Sequence, residues 1–339
     1  MTAYRDVLLH VGHGKTGSTY IQLFLALNAP RLLELGILYP DSDATRAALA
    51  GEITGGNYKA RPILDNIGRF ARQPPETARL LFSSEALMRE IPKTEAFFPT
   101  LRSHGLRASV LMFTRDPIEF LRAQYIQQVK RGGFTGSFDD YVKDASPVER
   151  HIQALERFLR LCRDEEVPVR ARSYDRHSHD LIGALLSFLD IPRDGFEEPA
   201  ITSNRSLSYS EIVLQRKFNY HLGVASSHFV SDALCSELPD VAPSRLLPSA
   251  DNLARCIEVY NRHVEKLNAL LPAGSDRYRA IAPDHAMQER REKPITFSEE
   301  QLDVLARALS SQIDSAEAEP SRGLRARLGA FLARKRGRG

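Results

Sequence analysis

The sequence predicts an α/β protein: a parallel sheet flanked by helices, with a helix-rich C-terminal half. Three observations lead there. Val7–Val11, Arg79–Ser83, Ser109–Phe113 and Val167–Arg172 are short, largely apolar runs of the kind expected from strands buried on both faces. Each is followed by a polar break and then by apolar residues at helical spacing, an alternation that implies parallel pairing. Beyond Pro147 most of the remaining periodic segments are helical.

Val7-Leu8-Leu9-His10-Val11 reads as the first strand, and the Gly-rich turn after it opens onto a helix carrying Ile21, Phe24, Leu25 and Asn28. Residues 44–75 hold Gly51, Gly55, Gly56, Pro62, Pro74 and Pro75 with little periodicity. That pattern predicts a long irregular insertion, which either shapes a pocket or simply runs over the surface. The second strand ends at Ser83-Ser84-Glu85. The third leads through Arg115-Asp116 into a helix that starts at Pro117, a favourable first-turn residue, and stops at Gly132-Gly133. Phe120, Leu121, Tyr125 and Val129 lie on one side of it. Helical spacing recurs over roughly Pro147–Glu166, His179–Leu189, Ser208–His221 and Asn252–Leu271, and the fourth strand leads into Ser173-Tyr174-Asp175. Ser298-Glu299-Glu300-Gln301 is a capping-box pattern ahead of Leu302, Leu305, Leu309 and Ile313. Residues 1–315 are expected to form one domain, and 316–339 a basic tail detached from it.

Composition narrows the class. A chain of 339 residues with 42% hydrophobic content can bury a large core, and a net charge of +3 marks no nucleic-acid binder. Cys162, Cys235 and Cys256 are odd in number and contain no CxxC pair. They argue against a disulfide framework or a zinc site and for a reducing, cytoplasmic setting. No apolar stretch is long enough to span a bilayer, and the N-terminus lacks the flanks of a signal peptide.

Gly12-His13-Gly14-Lys15-Thr16-Gly17-Ser18-Thr19 joins the first strand to the first helix. Backbone N–H groups and the positive helix end can hold an anion there, and Lys15 adds a full charge. The ordinary Walker A pattern has a glycine five positions before Gly14-Lys15; here that position is Leu9, so the loop is shorter than in a kinase or GTPase. In this form it resembles the 5'-phosphosulfate loop of sulfotransferases that use PAPS (3'-phosphoadenosine-5'-phosphosulfate). The context from Leu9-His10-Val11-Gly12 through Gln22 to Gly36-Ile37-Leu38-Tyr39-Pro40 is similar to bacterial members of that family. The alternative is a turn with no ligand. The resemblance runs from Val7 to about Leu309. It implies a P-loop-type sheet, PAPS as co-substrate and PAP (3'-phosphoadenosine-5'-phosphate) as product, and no required metal. It also implies Gly14, Lys15, Thr16, Gly17, Ser18 and Thr19 as donor ligands.

Arg115-Asp116-Pro117 is similar to the family's 3'-phosphate motif, in which an arginine and a serine eight positions later hold the phosphate. Arg115 fits, whereas Ala123 stands where the serine is expected. One lost neutral hydrogen bond costs about 0.5–1.5 kcal/mol, less than an arginine's charge-assisted contacts contribute, so binding survives. Asn204-Arg205-Ser206-Leu207-Ser208 looks like a later family element in which Arg205 shares the 3'-phosphate; the alternative is the N-cap of the helix from Ser208. Tyr174 either contacts the adenine face or belongs to the core.

Sulfuryl transfer to a hydroxyl needs in-line attack, charge stabilisation at the departing phosphate, and a base within hydrogen-bond reach. Lys15 suits the second task and Glu85 the third, because Glu85 follows a strand at the sheet edge where open α/β sheets place their sites. Ser83-Ser84-Glu85 also matches a common bacterial pattern of the family. The alternative for Glu85 is support of the next helix through its dipole. His10, inside a strand, reads as a core histidine, and His13 in the loop is within reach of donor or acceptor; neither is assigned a role. By the resemblance the acceptor is a hydroxyl on a saccharide or glycoconjugate. Two rivals stand beside this reading: a small-molecule P-loop kinase, whose full Walker A loop is missing, and a nucleotide-binding protein without turnover, to which Ala123 points. In the tail, Leu324, Leu328, Phe331 and Leu332 share one side of a short basic helix that either rests on an anionic membrane or stays solvated.

Overall fold

The computed structural model describes residues 5–12, 16–51, 54–72, 79–200, 205–244, 246–282 and 294–318, except the side chains of His228 and of 313–318. Loop residues His13, Gly14 and Lys15, and the basic tail beyond 318, lie outside these described residues. Contacts group the backbone into two compact units where the sequence suggests one through residue 315. The first is Met1–Gln124, Phe138–Ile201 and Leu247–Arg290; the second is Tyr125–Ser137, Thr202–Leu246 and Arg291–Gly339.

The first unit holds five strands: β1 (Arg5–Gly12), β2 (Ile37–Leu38), β3 (Arg79–Ser84), β4 (Leu106–Thr114) and β5 (Val169–Ser173). All pair in parallel, in the order β2-β3-β1-β4-β5. The four runs read from sequence are all strands; β2, only two residues long, carries too little pattern to be read. In β1 every residue from Val7 to Gly12 is buried, as a parallel strand covered on both faces requires.

Helix α1 (Ser18–Leu27) packs Ile21, Phe24 and Leu25 with Leu8, Leu81, Leu111 and Phe113 of the sheet, and α2 (Ala29–Glu34) follows it. The irregular insertion expected over 44–75 is instead built around three short helices, α3 (Asp43–Leu49), α4 (Ala60–Asp65) and α5 (Ile67–Ala71). They are too short for periodicity to register and are fixed by a local cap and by tertiary packing. Ser42 Oγ accepts the Thr45 N–H at 3.1 Å, and the Phe70 ring meets Phe82 edge-on at 5.1 Å.

Next come α6 (Leu87–Glu90), α7 (Phe97–Ser103), α8 (Pro117–Arg131), α9 (Phe138–Val142) and α10 (Ser146–Asp164). After β5 come α11 (Tyr174–His177) and α12 (Leu181–Leu189), the latter closing the α1 face of the core. The second unit contains α13 (Tyr209–Leu222) and α14 (Ala233–Glu237), and α15 (Ala250–Leu270) returns to the first unit to pack on α10. α16 (Glu299–Ala318) begins with the expected capping box: the Gln301 N–H donates to Ser298 Oγ at 3.2 Å, and the Ser298 N–H donates to Gln301 Oε1 at 2.9 Å.

One border of the sheet is covered and the other is short. The outer side of β5 is covered by residues 274–276: the Asp276 N–H donates to Ala171 O at 3.1 Å, the Ala171 N–H to Ser275 Oγ at 3.3 Å, and the Ser173 N–H to Asp276 Oδ2 at 2.7 Å. The opposite border is the two-residue β2.

Candidate functional site

Parallel pairing brings every strand's carboxyl end to one edge. The register Val11↔Ser84, Gly12↔Phe113 and Thr114↔Ser173 therefore sets Glu85, the loop after β1, Arg115 and Tyr174 in a row. β1 is also where the chain order reverses, with β2 and β3 to one side and β4 and β5 to the other, and this is where open α/β sheets form their crevice.

Gly12 shows how closely this row is assembled. A Cβ on it would fall 2.7 Å from Ser18 Oγ and 2.8 Å from Glu85 Cγ, so no side chain fits between the first strand and Glu85. Glu85 is half-buried, and its N–H donates to Gly55 O at 3.2 Å. Ser84 Oγ donates to the same carbonyl at 2.8 Å, while the Asn57 N–H and Ser83 O pair at 3.0 Å. Of the two readings of the insertion, its Gly55–Asn57 stretch thus borders Glu85.

In the loop, Thr16 Oγ1 and Ser18 Oγ are buried and have no hydrogen-bond partner among the described residues. Gly17 adopts the left-handed region (φ 73°) at the N-cap of α1, where a Cβ would meet Leu181 Cδ1 at 2.4 Å and Tyr174 Cε2 at 3.2 Å. The Tyr174 ring thus lies against Gly17 of the loop and also packs against the core. Thr19 is exposed. One turn along α1, Gln22 is buried with both amide atoms unpartnered among the described residues.

Arg115 stacks on Tyr174, its Cζ 5.1 Å from the ring centroid, and its Nε lies 3.8 Å from Asp175 Oδ1. Asp175 Oδ2 accepts the Asp116 N–H at 2.8 Å. Asp116 in turn caps α8, its Oδ1 accepting the Ile118 and Glu119 N–H groups at 2.9 and 3.1 Å. Burial pushes its pKa upward, opposed by those two bonds. Ala123 is half-buried on α8. Asp116 and Asp175, quoted in the sequence only as parts of their motifs, thus neighbour Arg115.

His10 is buried with Nδ1 2.7 Å from Ser83 Oγ, and burial lowers its pKa to about 4, so the ring is neutral at physiological pH. It is a core histidine with one nitrogen bonded.

Arg205 requires a correction. Its guanidinium is buried in the second unit, bidentate to Glu211 at 2.7 and 2.8 Å, and it also donates to the carbonyls of Leu234, Leu238 and Ser206. All five N–H donors are committed, leaving none for a phosphate. Ser208 is the N-cap of α13 in a capping box with Glu211, so the N-cap alternative describes this segment.

Among the described residues no group of three or more His, Cys, Asp or Glu side chains is placed to hold a metal ion, and no helix is long and apolar enough to cross a membrane. The fold defines a parallel α/β protein whose central strand is followed by two buried hydroxyls at the start of α1, with a carboxylate and an arginine on either side. No family profile matches the chain, and no curated protein matches it. Among solved structures it is similar to the crystal structure of a sulfotransferase from Alicyclobacillus acidocaldarius. The identity is 15% over 65% of this chain and 96% of that one, with a TM-score of 0.36, a likeness too low to carry a functional argument.

Proposed function

We propose that the protein is a sulfotransferase that moves a sulfuryl group from PAPS to an acceptor hydroxyl. The observation that carries this reading is the pair of buried hydroxyls, Thr16 Oγ1 and Ser18 Oγ, which have no partner among the described residues and stand where the turn after β1 enters α1. Each costs about 1–3 kcal/mol while unsatisfied, and an anionic oxygen held in that turn would accept from both. The N-terminal N–H groups of α1 suit the same anion. Bound PAPS supplies the activated sulfuryl group.

Lys15, together with Gly14 and Gly17 of the loop, belongs at the 5' end, where its ammonium stabilises charge on the departing phosphate oxygen. Glu85 takes the acceptor proton as the acceptor oxygen bonds to sulfur and the sulfur–phosphate oxygen bond breaks. Support of the next helix is a weak alternative, since α6 is a single turn. Arg115 receives the 3'-phosphate, Tyr174 meets the adenosine, and Arg205 takes no part. The resemblance favours a saccharide acceptor, for which the Gly55–Asn57 stretch beside Glu85 offers one wall.

The test is isothermal titration of the full chain with PAP, ADP and ATP, with and without magnesium. Metal-independent PAP binding tighter than ADP binding is expected. Magnesium-dependent ATP binding without a preference for PAP would overturn the reading in favour of a kinase. In a transfer assay, Lys15→Ala is expected to abolish turnover.

A further inference from the structure

We infer that Asn57 is a positioning residue that fixes the backbone carrying Glu85, so that transfer depends on it although it stands behind the proposed base; the inference rests on the role given to Glu85 above. β2 pairs only with Arg79 and Leu80, which leaves the outer side of β3 without a strand partner from Leu81 onward among the described residues. Asn57 takes that place. It is buried, its N–H donates to Ser83 O at 3.0 Å, and its Oδ1 accepts the Ser83 N–H at 2.9 Å. One residue thus satisfies both backbone groups that an edge strand would have engaged. Its Nδ2 donates to Leu81 O and Pro40 O, each at 3.4 Å. Two residues earlier, Gly55 O accepts the Glu85 N–H at 3.2 Å and the Ser84 hydroxyl at 2.8 Å, and Gly56 forms an antiparallel bridge with Ser84.

The consequence falls on Glu85, the first residue beyond β3. On one side its N–H is held by Gly55 O; on the other its Cγ lies 2.8 Å from where a Cβ of Gly12 would stand. Ser84 Oγ also accepts the Ala86 N–H at 3.2 Å, so the residues before and after Glu85 share the clamp. A base acts only within hydrogen-bond reach of the proton it takes, and a displacement of about 1 Å can cost about 100-fold in rate. Without Asn57 the Gly55–Asn57 stretch loses its anchor on Ser83, and the carboxylate loses its fixed height above the sheet.

The experiment is a double-mutant cycle on the full chain: wild type, Asn57→Ala, Glu85→Gln and the double variant. PAP release from PAPS is followed with water and with a methyl glycoside as acceptors, and PAP affinity by titration calorimetry. Asn57→Ala is expected to lower kcat about 10- to 100-fold with PAP affinity unchanged, and to lower it no further once Glu85 is glutamine. Ser84→Ala, which takes one hydroxyl out of the clamp, should show the same pattern at smaller amplitude, and it carries the test if Asn57→Ala does not fold.

An undiminished kcat in the folded variant would overturn the inference. So would an equal fall with and without the Glu85 carboxylate, or PAP binding that weakens alongside kcat, each being the mark of a merely structural role. Glu85→Gln that turns over as fast as the wild type fails the base reading, and a wild type that releases no PAP fails the sulfotransferase reading; in either case the inference about Asn57 falls with it.

Discussion

Glu85 matters through its address: it follows Ser84 at the end of β3, against the Cβ-less Gly12 and beside the loop hydroxyls. Glu85→Gln keeps the shape and removes the carboxylate that the proposed transfer uses as its base. It is expected to lower kcat by about 100-fold or more while PAP affinity stays unchanged, read from PAP release in a transfer assay. Gln22 poses the opposite case, a buried amide whose two polar atoms have no partner among the described residues and which has no assigned contact with the donor. Gln22→Leu is expected to raise stability by about 1 kcal/mol or more, as an increased denaturant midpoint at constant slope. A fall would mean that the amide holds an internal water. That Glu85, Arg115 and Tyr174 stand just past strand ends was legible in the sequence because each closely follows an apolar run, so locating the strand locates the residue. The pairing of Asp175 with Asp116 was not, because 59 positions separate them and only the β4–β5 register joins them. Arg205 misled for the converse reason: a polar segment that resembles a ligand motif is committed to a cap and an ion pair in its own neighbourhood.

At the scale of elements, the loop and α13 carry the sharpest expectations. Gly17→Ala places a Cβ in the left-handed region, worth about 1–2 kcal/mol, and drives it into Leu181. The protein should lose at least that much stability, with PAP binding weakened as the turn shifts. The Arg205–Glu211 pair ties the start of α13 to α14, and Gln301 at the head of α16 donates to Glu211 Oε1 at 2.6 Å. Glu211→Gln should cost about 3–5 kcal/mol by stranding a buried guanidinium, and Arg205→Met combined with Glu211→Leu should recover most of that loss, both measured by denaturant unfolding. The long helices were readable from the sequence because each spans several turns of apolar spacing. α3, α4 and α5 were not, since their order comes from a cap at Ser42 and from the Phe70–Phe82 contact.

For the whole molecule, acid stability follows from His10. Burial depresses its pKa to about 4 from the ordinary 6.5, so the unfolded chain takes up the proton first. Stability from this residue is complete above pH 6.5, declines as pH falls toward 4, and levels off below, a loss of about 3 kcal/mol. Denaturant midpoints between pH 7.5 and 4 should show that slope in the wild type and a flatter one in His10→Leu. The layered sheet was legible because buried parallel strands leave continuous apolar runs; the division into two units was not, since each gathers segments distant in sequence. The borders of the sheet bear on how molecules of this protein behave toward one another. A β5 whose outer Ala171 and Ser173 groups are already engaged by residues 274–276, and a β2 only two residues long, leave little bare backbone among the described residues for a stranger's strand to zip onto. Crowded solutions, or refolding from concentrated denaturant, should therefore yield dispersed molecules rather than chains joined sheet to sheet.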